Sequence, residues 1–211
     1  MKRKNEQPMS LFGAGHNGTL FPAFFNLRGR RCVVVGAGAV AQRKIARLRA
    51  CKARIVVVSP HATRRIATLA AQGDLVWHQK PWSMRYLGGA FLVFAATDDH
   101  NLNRRIAAAC KERGIPVNVA DNPALCDFMM PACFKRGQIT VAVSTGGASP
   151  ACAAYLRTVL AATITNQHLT LLKRLTTLRH SLKHTIPATK KRRKILKNQI
   201  VSAILSTPDA S

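Results

Sequence analysis

Carboxylates are scarce in this chain: eight Asp and Glu stand against 33 Lys and Arg, giving a formal charge of +25 at pH 7 and an isoelectric point near 11.4. Such an imbalance points to a polyanionic partner, whether nucleic acid, an acidic membrane surface or a substrate with many carboxylates. The acids are also unevenly placed, for none lies between Asp127 and Asp209. That interval holds Lys135, Arg136, Arg157, Lys173, Arg174, Arg179, Lys183 and the run from Lys190 to Lys194, so the C-terminal third reads as a basic module of its own. Aromatic residues make up only 6% of the chain and none interleaves the basic run, which argues against a single-strand stacking platform. No apolar run approaches the ~18 residues of a membrane span, and residues 1–19 lack the apolar stretch of a signal peptide. The six cysteines, at 32, 51, 110, 126, 133 and 152, include no C-x-x-C pair and fall mostly in apolar runs. They read as reduced core thiols of a cytoplasmic protein, and Cys126 with Cys133 lacks a second pair at zinc-site spacing. The histidines form no H-E-x-x-H pattern, so no protein-held metal is expected.

What is present begins with Cys32-Val33-Val34-Val35-Gly36-Ala37-Gly38-Ala39-Val40-Ala41-Gln42-Arg43-Lys44. A β-branched run ends in glycines that open onto a helix-forming segment. Gly36 permits the tight turn off the strand, Gly38 lets the backbone approach a pyrophosphate, and small Ala41 allows close helix–sheet packing. The first N–H groups of the new helix then face the phosphates. A second strand at 55–58 follows one helix length later. The spacing predicts helices over about 40–49, 62–72 and 101–113, with buried strands at 75–78 and 91–96. A fifth strand at 115–119 carries Pro116, which suits an edge or an entry position.

The aromatic lead-in at 20–27 is expected to pack beside the first strand. After Pro131 the pattern changes to one strand, 139–144, and one helix, about 151–164, too little to stand alone. Dimerisation through 131–164 is the natural expectation. Leu171, Leu175, Leu178 and Leu182 then mark an amphipathic helix that Pro187 breaks before a second basic helix. The expected organisation is a flexible leader at 1–19, a Rossmann-like α/β domain with a parallel sheet at 20–130, a strand–helix dimerisation segment at 131–164 and a basic helical module at 165–211.

With so few carboxylates, a general base has few candidates. Asp121 follows the fifth strand, at the end of a parallel sheet where doubly wound folds place substrate. An aspartate before Asn122-Pro123 is also a common turn former. Asp98 and Asp99 follow the fourth strand, where capping of the next helix by Asp98 or cofactor positioning is expected rather than catalysis. The acidic residue that usually reads the adenosine ribose is missing, because the second strand ends in Val58-Ser59-Pro60-His61. Ser59 or backbone stands in its place, which leaves NAD and NADP undecided from the residues.

Five motifs in register resemble one family. They are Val34 to Lys44, Ala95-Ala96-Thr97-Asp98-Asp99, Asn118-Val119-Ala120-Asp121, Phe128-Met129-Met130-Pro131, and Val141-Ala142-Val143-Ser144-Thr145-Gly146-Gly147-Ala148-Ser149-Pro150. Over about 20–164 the chain is similar to the precorrin-2 dehydrogenase and sirohydrochlorin ferrochelatase module, the N-terminal part of siroheme synthase. The resemblance implies NAD-dependent oxidation of precorrin-2, a tetrapyrrole with eight carboxylate side chains, to sirohydrochlorin, followed by insertion of Fe2+ as a substrate. It implies a catalytic role for Asp121 and NAD contacts from Gly36, Gly38, Ala39, Val40, Pro60 and His61. Ser59, Ala96, Thr97 and Asp98 complete the expected cofactor set, and Asn118, Ser144, Thr145 and Gly146 are the expected substrate residues. The serine that some members of the family carry phosphorylated falls on Thr145. A stand-alone homodimeric cytoplasmic enzyme without a methyltransferase domain, and with no membrane partner, is the resulting expectation. Two other readings stay open: a nucleotide-sensing Rossmann protein whose basic tail binds nucleic acid, and a dehydrogenase of another polyanionic substrate.

Overall fold

A computed structural model describes residues 20–205, and the expected leader at 1–19 lies outside them. The chain divides into two compact units, the first running to Met130 and including Gly146–Ala148, the second holding Pro131–Thr145 and the chain from Ser149 onward.

In the first unit, β1 (Arg31–Val35), β2 (Arg54–Val58), β3 (Val76–His78), β4 (Leu92–Ala95) and β5 (Val117–Val119) form one parallel sheet in the order β3-β2-β1-β4-β5. Helices α1 (Ala39–Ala50), α2 (Arg64–Ala71) and α3 (His100–Glu112) connect them, with short 3-10 turns at Met84–Leu87 and Pro123–Leu125. The apolar runs are continuous because both faces are covered. Val34, Ile55, Val57 and Phe94 pack with Ile45 of α1 and Ile66 of α2. Val33, Val35, Val56, Val58 and Val93 pack on the other side with Ile106 and Cys110 of α3 and with Tyr86 and Leu87. Each such fully buried side chain contributes about 1.5–3 kcal/mol relative to an exposed one. Pro116 sits just ahead of β5 at the sheet edge, where no neighbouring strand needs its missing N–H.

In the second unit, β6 (Ala132–Arg136) and β7 (Ile139–Val143) pair antiparallel, and α4 (Pro150–Thr163) packs on both strands. The helices α5 (Asn166–Thr185) and α6 (Thr189–Leu205) then pack on each other. Among the described residues of this unit only Ala153 and Leu182 are buried. Tyr155, Leu156, Val159 and Leu160 leave an exposed apolar face on α4.

The structure corrects several expectations. Residues 132–136 form a strand that the sequence pattern does not announce, so the segment after Pro131 is a hairpin with a helix. Its alternating half-buried pattern is short, and Cys133 and Lys135 break any apolar run. The strand at 76–78 is an edge strand, and Val76 is exposed because no strand follows it on that side. The lead-in buries only Leu27; Phe25 sets its ring edge-on to Phe91 at 5.8 Å but stays half-exposed, and Phe21 and Phe24 are exposed. Only Cys32 and Cys110 are core thiols; Cys51, Cys133 and Cys152 are exposed, since their elements present those positions to solvent. Helix α3 is capped by Asp99, not Asp98: the Asp99 carboxylate accepts from the N–H groups of Asn101 and Leu102 at 2.8 and 3.0 Å.

Candidate active site

Four strand exits meet along the carboxyl edge of the sheet. Gly36 N donates to Val58 O at 3.0 Å, Ala96 N to Val35 O at 2.8 Å, and Ala120 N to Ala95 O at 2.8 Å. The loop after β2 is tied to the loop after β1 by Thr63 N donating to Ala37 O at 3.0 Å. The strand order reverses between β1 and β4, which is the switch point where open α/β sheets receive ligands.

At that point Gly36 has φ +95°, and a Cβ placed on it would stand 2.2 Å from Ala96 O. Only glycine fits. A Cβ on Gly38, by contrast, would meet nothing within 4 Å, so open space lies over the loop. Gly38 is also the N-cap of α1 and supplies no side-chain acceptor, whereas Thr63, Asp99 and Ser149 cap α2, α3 and α4. The first-turn N–H groups of α1, with Ala39 and half-buried Val40 beside them, are thus left for an external anion. These residues fit a dinucleotide pyrophosphate.

The loop after β2 carries half-buried Ser59 with exposed Pro60 and His61. Both backbone groups of Ser59 are engaged, its N–H with His78 O at 3.2 Å and its carbonyl with Trp77 Nε1 at 3.0 Å. Recognition by Ser59 therefore falls to its hydroxyl and to the second lone pair of its carbonyl, not to its N–H. After β4, Ala96 is buried and Thr97 is pinned by buried Asn103. Asn103 Nδ2 donates to Thr97 O at 2.9 Å, and Asn103 Oδ1 accepts from Thr97 Oγ1 at 2.8 Å and from Thr97 N at 3.3 Å. Asp98 is exposed beside them.

Asp121 stands just beyond β5, exposed, with φ +57°. That left-handed conformation is one that aspartate tolerates better than most side chains, and strain of this kind clusters at functional sites. The turn is held by Cys126, whose sulfur lies 3.1 Å from Val119 N and 3.3 Å from the carbonyl oxygens of Val119 and Asn122. Burial pushes the Cys126 thiol above its usual range, so it serves here as a neutral hydrogen-bonding group.

Asn118, named from the sequence as a substrate residue, is buried, and its partner was not foreseen. Lys44 Nζ donates to Asn118 Oδ1 at 2.6 Å and lies 5.6 Å from the centre of the Phe94 ring. Burial holds this ammonium below the ordinary lysine range, although Asp121 pulls it upward and Arg47 and Arg43 pull it down. A signal was available: Ala41, Ile45 and Leu48 form the buried stripe of α1, and Lys44 falls on it. The same pattern places Asn103 on the stripe of α3 with Ile106, Ala107 and Cys110.

Gly146 lies in the short segment that belongs to the first unit, where a Cβ on neighbouring Gly147 would meet Met129 Cε at 3.7 Å. Ser144 and Thr145 belong to the second unit, where Thr145 Oγ1 accepts from Ser149 N at 3.2 Å. Among the described residues no group of three or more His, Cys, Asp or Glu is placed to hold a metal ion. No described helix is long and apolar enough to cross a membrane.

A five-stranded parallel sheet in this order, with a glycine-opened and uncapped helix at its switch point, defines a dinucleotide-binding protein of Rossmann type. The chain belongs to the NAD(P)-binding family whose profile matches residues 23–132. It is similar to the siroheme synthase of Nitrosomonas europaea, 45% identical over 144 residues, which are 68% of this chain and 30% of that protein. The siroheme synthase of Thioalkalivibrio sulfidiphilus is 46% identical over 137 residues, or 65% of this chain and 28% of that protein. The chain thus spans about a third of the length of the curated relatives it matches. Among solved structures, SirC, a precorrin-2 dehydrogenase, superposes with a TM-score of 0.67 at 26% identity, covering 85% of this chain and 88% of that one. The resemblance drawn from the sequence motifs is borne out by these relatives.

Proposed function

We propose that this chain oxidises precorrin-2 to sirohydrochlorin with NAD as acceptor, then inserts Fe2+ to give siroheme, acting as a cytoplasmic homodimer. The observation that carries the reading is the carboxylate of Asp121 at the exit of β5, on the edge of the sheet where Gly36 and Gly38 open the dinucleotide loop. The likeness to SirC over most of both chains supports the substrate.

In this reading the α1 N-terminus with Gly36, Gly38, Ala39 and Val40 holds the pyrophosphate, and Ser59, Pro60 and His61 take the adenosine side. Ala96, Thr97 and Asp98 hold the remainder of the cofactor, with Thr97 kept in place by Asn103. When bound, NAD supplies a hydride acceptor. Loss of two hydrogens from precorrin-2 releases one hydride and one proton, and Asp121 takes the proton as general base. Asn118, Ser144, Thr145 and Gly146 contact the macrocycle. Iron insertion displaces two pyrrole protons, and the four macrocycle nitrogens supply the metal's ligands, so no resident metal site is called for. The exposed apolar face of α4, with Tyr155, Leu156, Val159 and Leu160, supports burial against a second copy.

The test is turnover of precorrin-2 by the purified chain with NAD or NADP, with Fe2+ added separately, reading sirohydrochlorin and siroheme by absorbance. Sirohydrochlorin formed with NAD, and siroheme only when Fe2+ is present, is the expected result. No loss of precorrin-2 with either dinucleotide overturns the reading, and product stopping at sirohydrochlorin removes the chelatase step.

A further inference from the structure

Lys44 is a cation with no carboxylate in contact with it. It sits half-buried on the apolar stripe of α1, between buried Ala41 and Ile45, and over the ring of Phe94. Moving an ammonium out of water costs several kcal/mol, and interiors normally offset this with a carboxylate. Here the hydrogen-bonding partners are neutral: Asn118 Oδ1 at 2.6 Å and, weakly, Met130 Sδ at 3.9 Å. Among the described residues Lys44 forms no ion pair, unlike Arg49 with Asp74 or Arg113 with Glu112. Asp121 is near enough for its charge to be felt but does not pair with it.

The orientation of Asn118 is set from the other side, because its Nδ2 donates to Phe128 O at 3.0 Å. Its carbonyl oxygen is therefore the end that faces Lys44. This arrangement aims the ammonium without neutralising it, and an ammonium with three donors keeps capacity for an anion. A purely structural role would be met by a methionine of similar length, since apolar replacements of buried charges are often neutral or stabilising.

We propose that Lys44, oriented by Asn118, forms a subsite for one carboxylate of an acidic substrate beside Asp121. The inference rests on the reading of this site as one for a polycarboxylate tetrapyrrole. It explains why a chain with so few acids leaves an ammonium unpaired at the edge where substrate is expected. It also gives the site a means of recognition separate from the cofactor loop, which lies one turn earlier on α1.

The experiment compares Lys44→Met and Lys44→Arg with the wild type, measuring KM and kcat for precorrin-2 together with NADH affinity by fluorescence. Loss of one charge-assisted contact is expected to raise KM for precorrin-2 about 10–100-fold in Lys44→Met, with kcat changed less than about threefold. NADH affinity stays within about twofold, and Lys44→Arg recovers most of the KM because it restores the charge. An unchanged KM overturns the subsite, as does a parallel loss of NADH affinity or a fall in kcat at constant KM. Circular dichroism checks folding, and Lys44→Gln replaces Lys44→Met if the latter does not fold. Should the wild type not turn over precorrin-2, the functional reading falls first, and the subsite is then read by equilibrium binding of uroporphyrin, an octacarboxylate porphyrin. Binding weakened about tenfold or more in Lys44→Met sustains the subsite, and equal binding overturns it.

Discussion

Gly36 and Ala96 touch across the switch point, where a Cβ on the glycine would lie 2.2 Å from the alanine's carbonyl oxygen. Two residues along the same loop, a Cβ on Gly38 would meet nothing within 4 Å. The two glycines therefore serve different ends. Gly36→Ala is expected to destabilise the fold by on the order of 3 kcal/mol, through positive-φ strain and a clash with backbone. Gly38→Ala is expected to leave the melting temperature nearly unchanged and to weaken NADH binding about tenfold or more, because its methyl group occupies the space left for phosphate. Thermal denaturation with fluorescence titration checks both, and equal effects at the two positions contradict the assignment.

Asp121 combines a carboxylate with a left-handed backbone, φ +57°. Asn tolerates that conformation and removes the charge. Asp121→Asn should hold its melting temperature and lose about 10²–10⁴-fold in kcat, the usual worth of a positioned general base. Asp121→Gly relieves the backbone strain and should lose as much activity. Steady-state kinetics that show normal turnover for Asp121→Asn would leave the aspartate with only its turn-forming role.

Buried Asn103 holds Thr97 through three hydrogen bonds. Asn103→Leu matches the volume but leaves the Thr97 N–H and carbonyl without these partners, at a cost of about 1–3 kcal/mol. Urea denaturation should report that loss, with NADH affinity falling as the loop after β4 loosens.

The thiols of Cys32 and Cys110 are each pushed up to about 11 from 9.0, chiefly by burial. Between those values the unfolded chain has given up thiol protons that the folded chain retains. Stability therefore falls as pH rises from about 9 toward about 11, and these two thiols add nothing to the pH dependence below that window. Denaturation midpoints across pH 8–11 should show the decline, and Cys32→Ala with Cys110→Ala should flatten it despite a lower starting stability. In the folded protein a thiol reagent should modify exposed Cys51 and Cys133 and leave Cys32 and Cys110 untouched.

The apolar face of α4 bears on the proposed dimer. Leu156→Glu with Val159→Glu puts two charges on that exposed face, so the second unit itself should tolerate them. Sedimentation should then show a shift from dimer to monomer. A wild type that already sediments as a monomer removes the homodimer from the reading.

The parallel sheet and its cofactor edge were legible because their causes are local. β-branched runs such as Val33 to Val35, the glycines that end them, and the 3.6-residue stripes of the helices each act over a few residues. The hairpin strand at 132–136 was not legible, since its alternation is only half-buried and depends on the neighbour it pairs with. Whether Asp98 or Asp99 capped α3 turned on the orientation of one carboxylate. The cysteines show the same limit: six similar settings in the sequence became two buried thiols and three exposed ones, with Cys126 in between.

By itself, then, the sequence determined a dinucleotide-binding α/β chain with Asn118 in its fifth strand and Asp121 just beyond it, because strand, turn and helix preferences are set by near neighbours. Only the tertiary structure decided that Lys44 would meet Asn118 across 74 residues without a carboxylate to pair with. Burial and the balance of charge around an ammonium are properties of the packed sheet and helices together, and no stretch of chain contains them alone.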